Sequence, residues 1–307
     1  MTQVHPQVSV VIPTYGREKV LIDTIKQLLL LEYRAQEILI IDQTKHHEDE
    51  TAASLERLSQ DGTITWIRLD KPSIPKAMNH ALKIARNEIV LFLDDDIEIT
   101  GPLVAEHAKE FHNPEVNVVA GQVIQPWELP LSESAEAWQN GEIENPDAFL
   151  FNSGKQRWIK RLMAGNFSIR KDVALKSGGF DENFVKVAYR FEAEFSDRLI
   201  AAGYPILFQP KANIRHLKIG HGGTRTYGEH LTTIKPSHSV GRYYYLLRSK
   251  NSKQRIIKLL CSPFIAIRTR FHLSHPWWIP VTLIAEFSGL LWALLLYIRG
   301  PAYINSR

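Results

Sequence analysis

The sequence has almost no cysteine. Cys261 is the only thiol among 307 residues, which excludes a disulfide framework and any structural zinc site built on several thiolates. The first residues lack a basic segment followed by an apolar run, so no secretory signal is evident and we expect folding in a reducing cytosol. Hydrophobic residues make up 44% of the chain and charged residues 23%, a balance that predicts a folded core.

Two signatures of nucleotide-binding enzymes are also missing. The segment after the first apolar run reads PTYGRE and lacks the GxGxxG of dinucleotide-binding folds, and no GxxxxGKS/T loop occurs in the chain. A dehydrogenase or a P-loop NTPase is therefore disfavoured. Internal repeats and low-complexity tracts are absent from the sequence as well.

Acidic residues are nearly absent from the C-terminal quarter. Residues 235–307 contain 11 Lys and Arg against one acid, Glu286, whereas the other 234 residues hold 26 bases and 32 acids. The apolar run Trp277–Ile298 is 22 residues long, and about 20 suffice to cross a bilayer. We expect contact with membrane lipids rather than nucleic acid, through one span or a monotopic tail, with the catalytic domain on the cytoplasmic face. A soluble helix packed on the domain is the alternative.

The first third of the chain alternates short apolar segments rich in β-formers with amphipathic helical patterns. Strands are predicted at residues 8–13, 37–42, 63–69 and 88–96, and helices at 18–31 and 74–86. This order predicts an α/β fold with a mainly parallel sheet flanked by helices. Ligands of such sheets bind at the carboxyl ends of the strands.

Three consecutive aspartates, Asp94–Asp96, follow the predicted strand IVLFL. Because side chains alternate along a strand, Asp94 and Asp96 point the same way and Asp95 points elsewhere. Two carboxylates side by side repel unless a cation lies between them, and hard oxygen ligands suit Mg²⁺ or Mn²⁺. A solvated acidic turn is the simpler reading of the same residues.

Six segments in a fixed order resemble glycosyltransferase family 2, over roughly residues 7–240. They read VSVVIPTYGR, EILIIDQT, PKAMNHALKIARNEIVLFLDDD, GNFSIRKDVALKSGGFDENF, EAEFSDRLIAAGYPI and IRHLKIGHGG. The resemblance implies the Rossmann-like GT-A fold, with a nucleotide-binding half at about 1–115 and an acceptor half at about 116–240. We place the boundary with a basic, apolar helical tail, residues 241–307, near Val240.

The same resemblance implies an inverting enzyme that uses a nucleotide-sugar donor and Mn²⁺ or Mg²⁺. A UDP-sugar is the favoured donor, and the acceptor is a glycan or a lipid-linked sugar in cell-surface polysaccharide or glycolipid synthesis. The segment after the second strand reads QTKH where the family carries an acidic-Ser-Thr-Asp run, so the base stays open. Trp127, Trp138 and Trp158 lie in the expected acceptor region, residues 125–160, where they either stack on sugars or pack.

The resemblance implies three sets of contacts: with a metal, with a sugar or acceptor, and with a nucleotide. The metal ligands are Asp96 and His216, with His221 as the nearby rival of the histidine. Sugar or acceptor contacts fall to Gly165, Asn166, Gly179 and Asp181. Nucleotide contacts fall to Pro13, Thr14, Tyr15, Asp42, Lys76, Asn79, Asp94 and Asp95.

The catalytic base falls at a departure from the family pattern. Glu192 stands where the family usually has Asp, and Glu194 follows two residues later. Either carboxylate could deprotonate an acceptor hydroxyl, and we favour Glu192. The departure keeps an alternative function open, namely a non-catalytic GT-A-fold binding or scaffold protein at the membrane.

Overall fold

The computed structural model describes residues 6–131, 146–249 and 252–304. Trp138, predicted as a sugar-stacking candidate, lies outside these described residues. A central sheet carries helices along its length, so the fold is α/β as expected.

In the described part of the chain, nine strands form one sheet in the order β3-β2-β1-β4-β8-β6-β9-β5, and β7 pairs with β9. Strands β3, β2, β1 and β4 are parallel to one another, whereas the pairs beyond β4 are mixed. The strands are β1 (Val8–Thr14), β2 (Glu37–Asp42), β3 (Thr65–Arg68), β4 (Ile89–Leu93), β5 (Ile97–Ile99), β6 (Val118–Ile124), β7 (Arg157–Ile159), β8 (Asn166–Arg170) and β9 (Ile206–His216).

Ten α-helices are described. They are α1 (Lys19–Leu29), α2 (Asp49–Gln60), α3 (Ile74–Ile84), α4 (Leu103–Glu110), α5 (Lys171–Lys176), α6 (Phe191–Ala201), α7 (Ser239–Arg248), α8 (Ser252–Ala266), α9 (Arg270–Ser274) and α10 (Ile279–Arg299). Short 3₁₀ turns lie at Pro146–Ala148, Gly223–Tyr227 and Pro276–Trp278.

The predicted strands and helices of the first third agree with the structure. All five residues of β4 are buried, as expected of a central strand covered on both faces. Helix α1 buries one side through Leu21, Ile22, Ile25 and Leu28, a spacing of three and four residues. In the sheet, Thr14 pairs with Asp42, so polar residues that follow two different apolar runs come together at one edge.

The chain divides into two compact units. The first comprises Met1–Pro72, Ala77–Gly179 and Ser196–Gly223, and it contains the whole sheet. The second comprises Ser73–Lys76, Phe180–Phe195 and Thr224–Arg307. The boundary expected near Val240 stays a prediction.

The second unit contains the apolar tail. Among the described residues, one helix, Pro276–Arg299, has the length and composition that a membrane crossing requires, with a mean hydropathy of 1.9 in its most apolar stretch. Only 33% of that stretch is buried, so most of its apolar surface is not used in the core of this chain.

Candidate active site

Asp94, Asp96 and His216 form a cluster in the first unit. One ligand atom from each residue lies within 4.8 Å of the other two. The two aspartates occupy the turn between β4 and β5, and His216 ends β9, where it pairs with Ile97 next to Asp96. His216 Nε2 is 3.1 Å from Asp96 Oδ1 and 3.9 Å from Asp94 Oδ2. His221 is not in the cluster; its side chain is exposed.

Gly165 shapes the cluster from the neighbouring strand. The Asp94 backbone N–H donates to the Gly165 carbonyl at 3.1 Å, just before β8 begins. A Cβ atom on Gly165 would overlap the Asp94 carboxylate. Only glycine therefore leaves room for Asp94 in this position.

Arg17 is a buried cation beneath the aspartates. Its Nη2 is 3.0 Å from Asp96 Oδ2 and its Nε is 3.1 Å from Asp95 Oδ1. It also donates to the carbonyl oxygens of Ile219 and His221. No local sequence pattern marks Arg17 for this role, because the carboxylates that it contacts lie 78 and 79 residues away in the chain.

Hydrogen bonds orient His216 and Asp96, two candidate metal ligands. His216 Nδ1 lies 3.2 Å from Gln125 Oε1, and a ring that donates there can offer the Nε2 lone pair to a cation. Burial raises the pKa of Asp96, but the hydrogen bond with His216 and the charge of Arg17 outweigh it, so the pKa lies below its usual value. Asp96 is therefore ionised at neutral pH, as a metal ligand must be.

Asp95 points away from the cluster, as the alternation of side chains predicts. Its Oδ2 accepts a hydrogen bond from Thr14 Oγ1 at 2.7 Å, and its Oδ1 faces Arg17. Burial raises the pKa of Asp95 to about 7 despite the charge of Arg17. The nucleotide contacts expected of Thr14 and Asp95 stay predictions.

The segment after β9 closes against the loop after β1. The Leu217 N–H donates to the Asp96 carbonyl at 2.8 Å, and the Ile219 N–H donates to Asp96 Oδ2 at 3.0 Å. Gly223 N–H donates to the Tyr15 carbonyl at 2.6 Å. Pro13, near the end of β1, and Tyr15, at the start of that loop, are half-buried.

Asp42 is fully buried within a second polar group, at the carboxyl end of β2. Its Oδ1 accepts from the Thr44 N–H at 2.8 Å, and its Oδ2 accepts from Trp66 Nε1 at 2.9 Å and lies 2.8 Å from His47 Nε2. His47 Nδ1 lies 3.1 Å from both carboxylate oxygens of Glu18. The predicted contact of Asp42 with a nucleotide base stays a prediction.

Several other candidate residues are buried or make hydrogen bonds within the fold. Asn166 is fully buried, and its Oδ1 lies 2.9 Å from His107 Nε2. Its Nδ2 donates to the Gln122 carbonyl at 3.0 Å and to the Ala212 carbonyl at 2.9 Å. The Gly179 carbonyl accepts from Arg198 Nη2 at 2.7 Å. Asn79 is buried on α3.

Trp127 and Trp158 are exposed residues of the first unit, and the other four candidates belong to the second. Lys76 is exposed and Glu192 is half-buried. Glu194, on the same helix, is buried and accepts from Tyr303 Oη at 3.1 Å. Asp181 is buried and accepts from Tyr244 Oη at 2.7 Å and from the N–H groups of Asn183 and Ala302, each at 3.0 Å.

The donor set of the cluster fits a divalent cation. Two carboxylates and one imidazole suit Mn²⁺ or Mg²⁺ better than a soft metal. Hydrogen bonds orient two of the three side chains, His216 and Asp96. A carboxylate pair at the carboxyl edge of an α/β sheet is therefore a candidate binding site for a metal and a phosphate-bearing ligand.

Comparison with known proteins decides the family. The family model for glycosyl transferase family 2 matches residues 9–177. The chain belongs to this family. The match includes Arg17, Asp94–Asp96 and Gly165 but ends before His216, and the predicted resemblance is confirmed.

Two curated proteins are similar in sequence to this chain. It is 27% identical over 196 residues to the uncharacterized glycosyltransferase YfnE of Bacillus subtilis (strain 168), covering 62% of this chain and 48% of that protein. It is 25% identical over 235 residues to the O-antigen biosynthesis protein RfbC of Myxococcus xanthus, covering 69% of this chain and 17% of RfbC. The chain thus spans half or less of these relatives.

Solved structures share the fold. A mannosyltransferase from Pyrobaculum calidifontis, in complex with GDP-Man and Mn²⁺, aligns with a TM-score of 0.57 at 18% identity, covering 97% of this chain and 80% of that one. GalNAc-T7 with UDP, GalNAc and Mn²⁺ aligns with a TM-score of 0.55 at 12% identity, covering 89% and 58%. These similarities confirm the GT-A fold.

Proposed function

We propose that this glycosyltransferase moves a sugar from a nucleotide-sugar donor to a glycan or lipid-linked acceptor, with inversion at the anomeric carbon. The product belongs to a cell-surface polysaccharide or glycolipid. The observation that carries the proposal is the Asp94–Asp96–His216 cluster in a family 2 fold. The similarity to an O-antigen biosynthesis protein supports the product class, and a UDP-sugar is the favoured donor.

In this proposal Asp94, Asp96 and His216 hold Mn²⁺ or Mg²⁺. Two structural neighbours were solved with Mn²⁺ and a nucleotide or nucleotide sugar, which supports the same requirement here. A divalent cation supplies charge stabilisation to a leaving diphosphate. The chain's own part is to keep Asp96 ionised through Arg17 and the Ile219 N–H and to orient His216 through Gln125.

The nucleotide is assigned to the carboxyl edge of β1, β2 and β4. Pro13, Tyr15 and Asp42 would contact the base and ribose, with Thr14 and Asp95 fixing the edge through their mutual hydrogen bond. Lys76 and Asn79, on α3, would contact the phosphates. The sugar and acceptor are assigned to Gly165, Asn166, Gly179 and Asp181.

Glu192 is the proposed general base. On helix α6, residues two apart lie on different faces. Glu194 is buried against Tyr303, whereas Glu192 keeps part of its side chain accessible. A base must reach the proton it removes, so the accessible carboxylate suits the role better than the buried one.

The test is nucleotide diphosphate release from a panel of nucleotide sugars with Mn²⁺ or Mg²⁺, in membranes and in detergent. We expect release with one donor class, its loss with EDTA, and its loss in Asp96→Asn and Glu192→Gln. Glu98→Gln is the matched control, because Glu98 is exposed two residues from Asp96. Metal-dependent donor binding without release from any donor would instead favour the non-catalytic alternative.

We also propose that the enzyme works at the cytoplasmic face of the membrane. The basic, apolar C-terminal quarter supports lipid contact. The apolar segment Pro276–Arg299, a 3₁₀ turn followed by α10, supports it further. Only 33% of its most apolar stretch is buried.

A further inference from the structure

Helix α10 has two faces of opposite character. Its buried face is small and partly polar, and its members are spaced by four and three residues: Thr282, Glu286, Gly289, Ala293 and Leu296. Its exposed face holds the large apolar side chains Ile284, Phe287, Leu291, Leu294, Leu295 and Ile298. A helix of a soluble core would turn these larger side chains inward, so the exposed face is suited to an apolar surrounding.

The polar face is fastened to helix α7 of the same unit. Ser239 Oγ donates to the Ala285 carbonyl at 2.9 Å, and a Cβ atom on Gly289 would overlap that hydroxyl. Glu286 accepts hydrogen bonds from Arg242 and Tyr243. The one acid of the tail is thus satisfied on the protein side and faces away from the exposed apolar residues.

Both ends of α10 are tied to the second unit. Near its start, Thr282 Oγ1 donates to the Leu231 carbonyl at 3.1 Å. Just beyond its end, Asn183 Nδ2 donates to the Gly300 carbonyl at 2.7 Å. The helix has 21 residues, about 31 Å at the usual rise. A helix held at both ends by one folded unit lies along that unit and does not project from it.

Helix α8 extends the exposed apolar surface. Its large exposed apolar residues are Ile256, Ile257, Leu260, Phe264 and Ile265, and the Phe264 ring packs edge-to-face against Phe287 at 6.4 Å between centroids. We call the exposed apolar side chains of α8 and α10 the apolar face. Among the described residues of α8, α10 and the segment between them, the exposed charged side chains are all basic: Lys258, Arg268, Arg270 and Arg299.

We propose that the apolar face inserts into one leaflet of an anionic bilayer, with α10 parallel to the membrane plane. The proposal deepens the membrane association proposed above and makes the enzyme monotopic. Apolar side chains bordered by bases are the features that interfacial helices use on anionic lipids. A transmembrane α10 would have to give up the hydrogen bonds at both of its ends, or take helix α7 and Arg242 into the hydrocarbon.

The first test is flotation of the purified full-length chain with vesicles. We expect it to float with phosphatidylglycerol–phosphatidylcholine vesicles and much less with phosphatidylcholine alone. Leu291→Glu should reduce the floated fraction severalfold. Leu30→Glu is the matched control and should not reduce it, because it makes the same change at a residue that is 82% exposed at the end of α1. A stable dimer that Leu291→Glu dissociates, with no flotation of the parent, would overturn the proposal in favour of a second copy.

The second test separates the in-plane helix from a span. In a Cys261→Ser background, Ser274→Cys and Arg299→Cys place single thiols at the two ends of the helix; both positions are exposed. A membrane-impermeant maleimide should label both thiols in inside-out vesicles and neither in spheroplasts. Labelling of one thiol from each side would overturn the proposal. Neither test requires sugar transfer, so failure here and failure of the proposed reaction are distinguishable.

Discussion

Arg17 Nη2 lies 3.0 Å from Asp96 Oδ2, and both side chains are almost fully buried. The same guanidinium faces Asp95 and two carbonyls of the segment after β9. One residue of the first loop therefore holds two consecutive aspartates and the segment that follows His216. Arginine suits this place because its planar fork offers several donors in fixed directions.

We predict that Arg17→Met weakens both the fold and the metal site. Removing one partner of a buried ion pair leaves an uncompensated charge, at a cost of about 3–5 kcal/mol in the free energy of unfolding. The metal concentration for half-maximal nucleotide release should rise by about tenfold or more, the usual effect of losing a residue that orients a ligand. Urea unfolding and a Mn²⁺ titration check the two parts.

Lys19→Met is the matched control for this variant. Lys19 is exposed, and its pair with Asp23 lies on the surface, where ion pairs contribute about 0–1 kcal/mol. Equal stability and metal dependence of the two variants would contradict the role assigned to Arg17.

Gly165→Ala should disable the site while leaving the sheet intact. The added methyl group must displace the Asp94 carboxylate, so we expect weaker metal and donor binding with little change in far-ultraviolet circular dichroism. Gly220→Ala is the control, because a Cβ atom at Gly220 has open space around it. Full activity of Gly165→Ala would show that Asp94 is dispensable for the cation.

The strands and helices of the first third could be predicted from the sequence, and Asp96 and His216 could be chosen as candidate metal ligands, but the contacts that hold these two residues could not be predicted. Strand ends and aspartates are visible in a short window, because alternation and apolar runs are local patterns. Arg17 and Gln125 act on partners 78 and 91 residues away. Such contacts depend on which strands pair, which residue types alone do not specify.

The tail shows the same limit. Composition predicted lipid contact, and Glu286 counted against a clean span because a central acid is costly. The structure gives that acid two donors, Arg242 and Tyr243. The polar face of α10 can be recognised only from the structure, in which helix α7 packs against it.

The pair of His47 and Asp42 makes stability depend on pH. Burial lowers the pKa of His47, but hydrogen bonds and charges of Asp42 and Glu18 outweigh it, so the pKa is raised above its usual value. Burial raises the pKa of Asp42, yet the hydrogen bonds from His47, Thr44 and Trp66 leave it below its usual value. The raised histidine pKa gives stability that is present below its unfolded value and is lost as pH rises through its folded value. The lowered aspartate pKa gives stability that is lost as pH falls through its folded value.

We therefore predict that His47→Gln destabilises the protein most between about pH 4 and about pH 6.5. The difference from the parent should shrink as the pH rises further, because His47 in the parent then loses its proton. Urea unfolding at about pH 5.5 and about pH 9 measures this. His46→Gln, at the exposed neighbouring histidine, should show no such dependence, and a pH-independent loss for His47→Gln would count against a charged pair.

Our last prediction concerns a chain that ends at Val240, the boundary expected from the sequence. Segment 180–195, which carries Glu192, is held by residues beyond that boundary. Tyr244 and Ala302 donate to Asp181, Tyr303 donates to Glu194, and Gly241 packs so closely on Tyr189 that a Cβ atom there would contact its backbone. Truncation at Val240 removes all of these partners at once, so Asp181 loses the Tyr244 and Ala302 donors and Glu194 loses the Tyr303 donor.

We expect the truncated chain to release no nucleotide and to be cut by protease within residues 180–195, even in detergent. A chain that ends at Ile304 keeps every contact named above and should behave as the full chain does. Tyr244→Phe isolates one of these contacts and should cost about 1.5–3 kcal/mol, since it removes a hydrogen bond to a charged group. Tyr297→Phe, at an exposed tyrosine of α10, is its matched control. An active, protease-resistant chain ending at Val240 would show that the tail serves the membrane alone, because the segment with the proposed base would then hold its conformation without it.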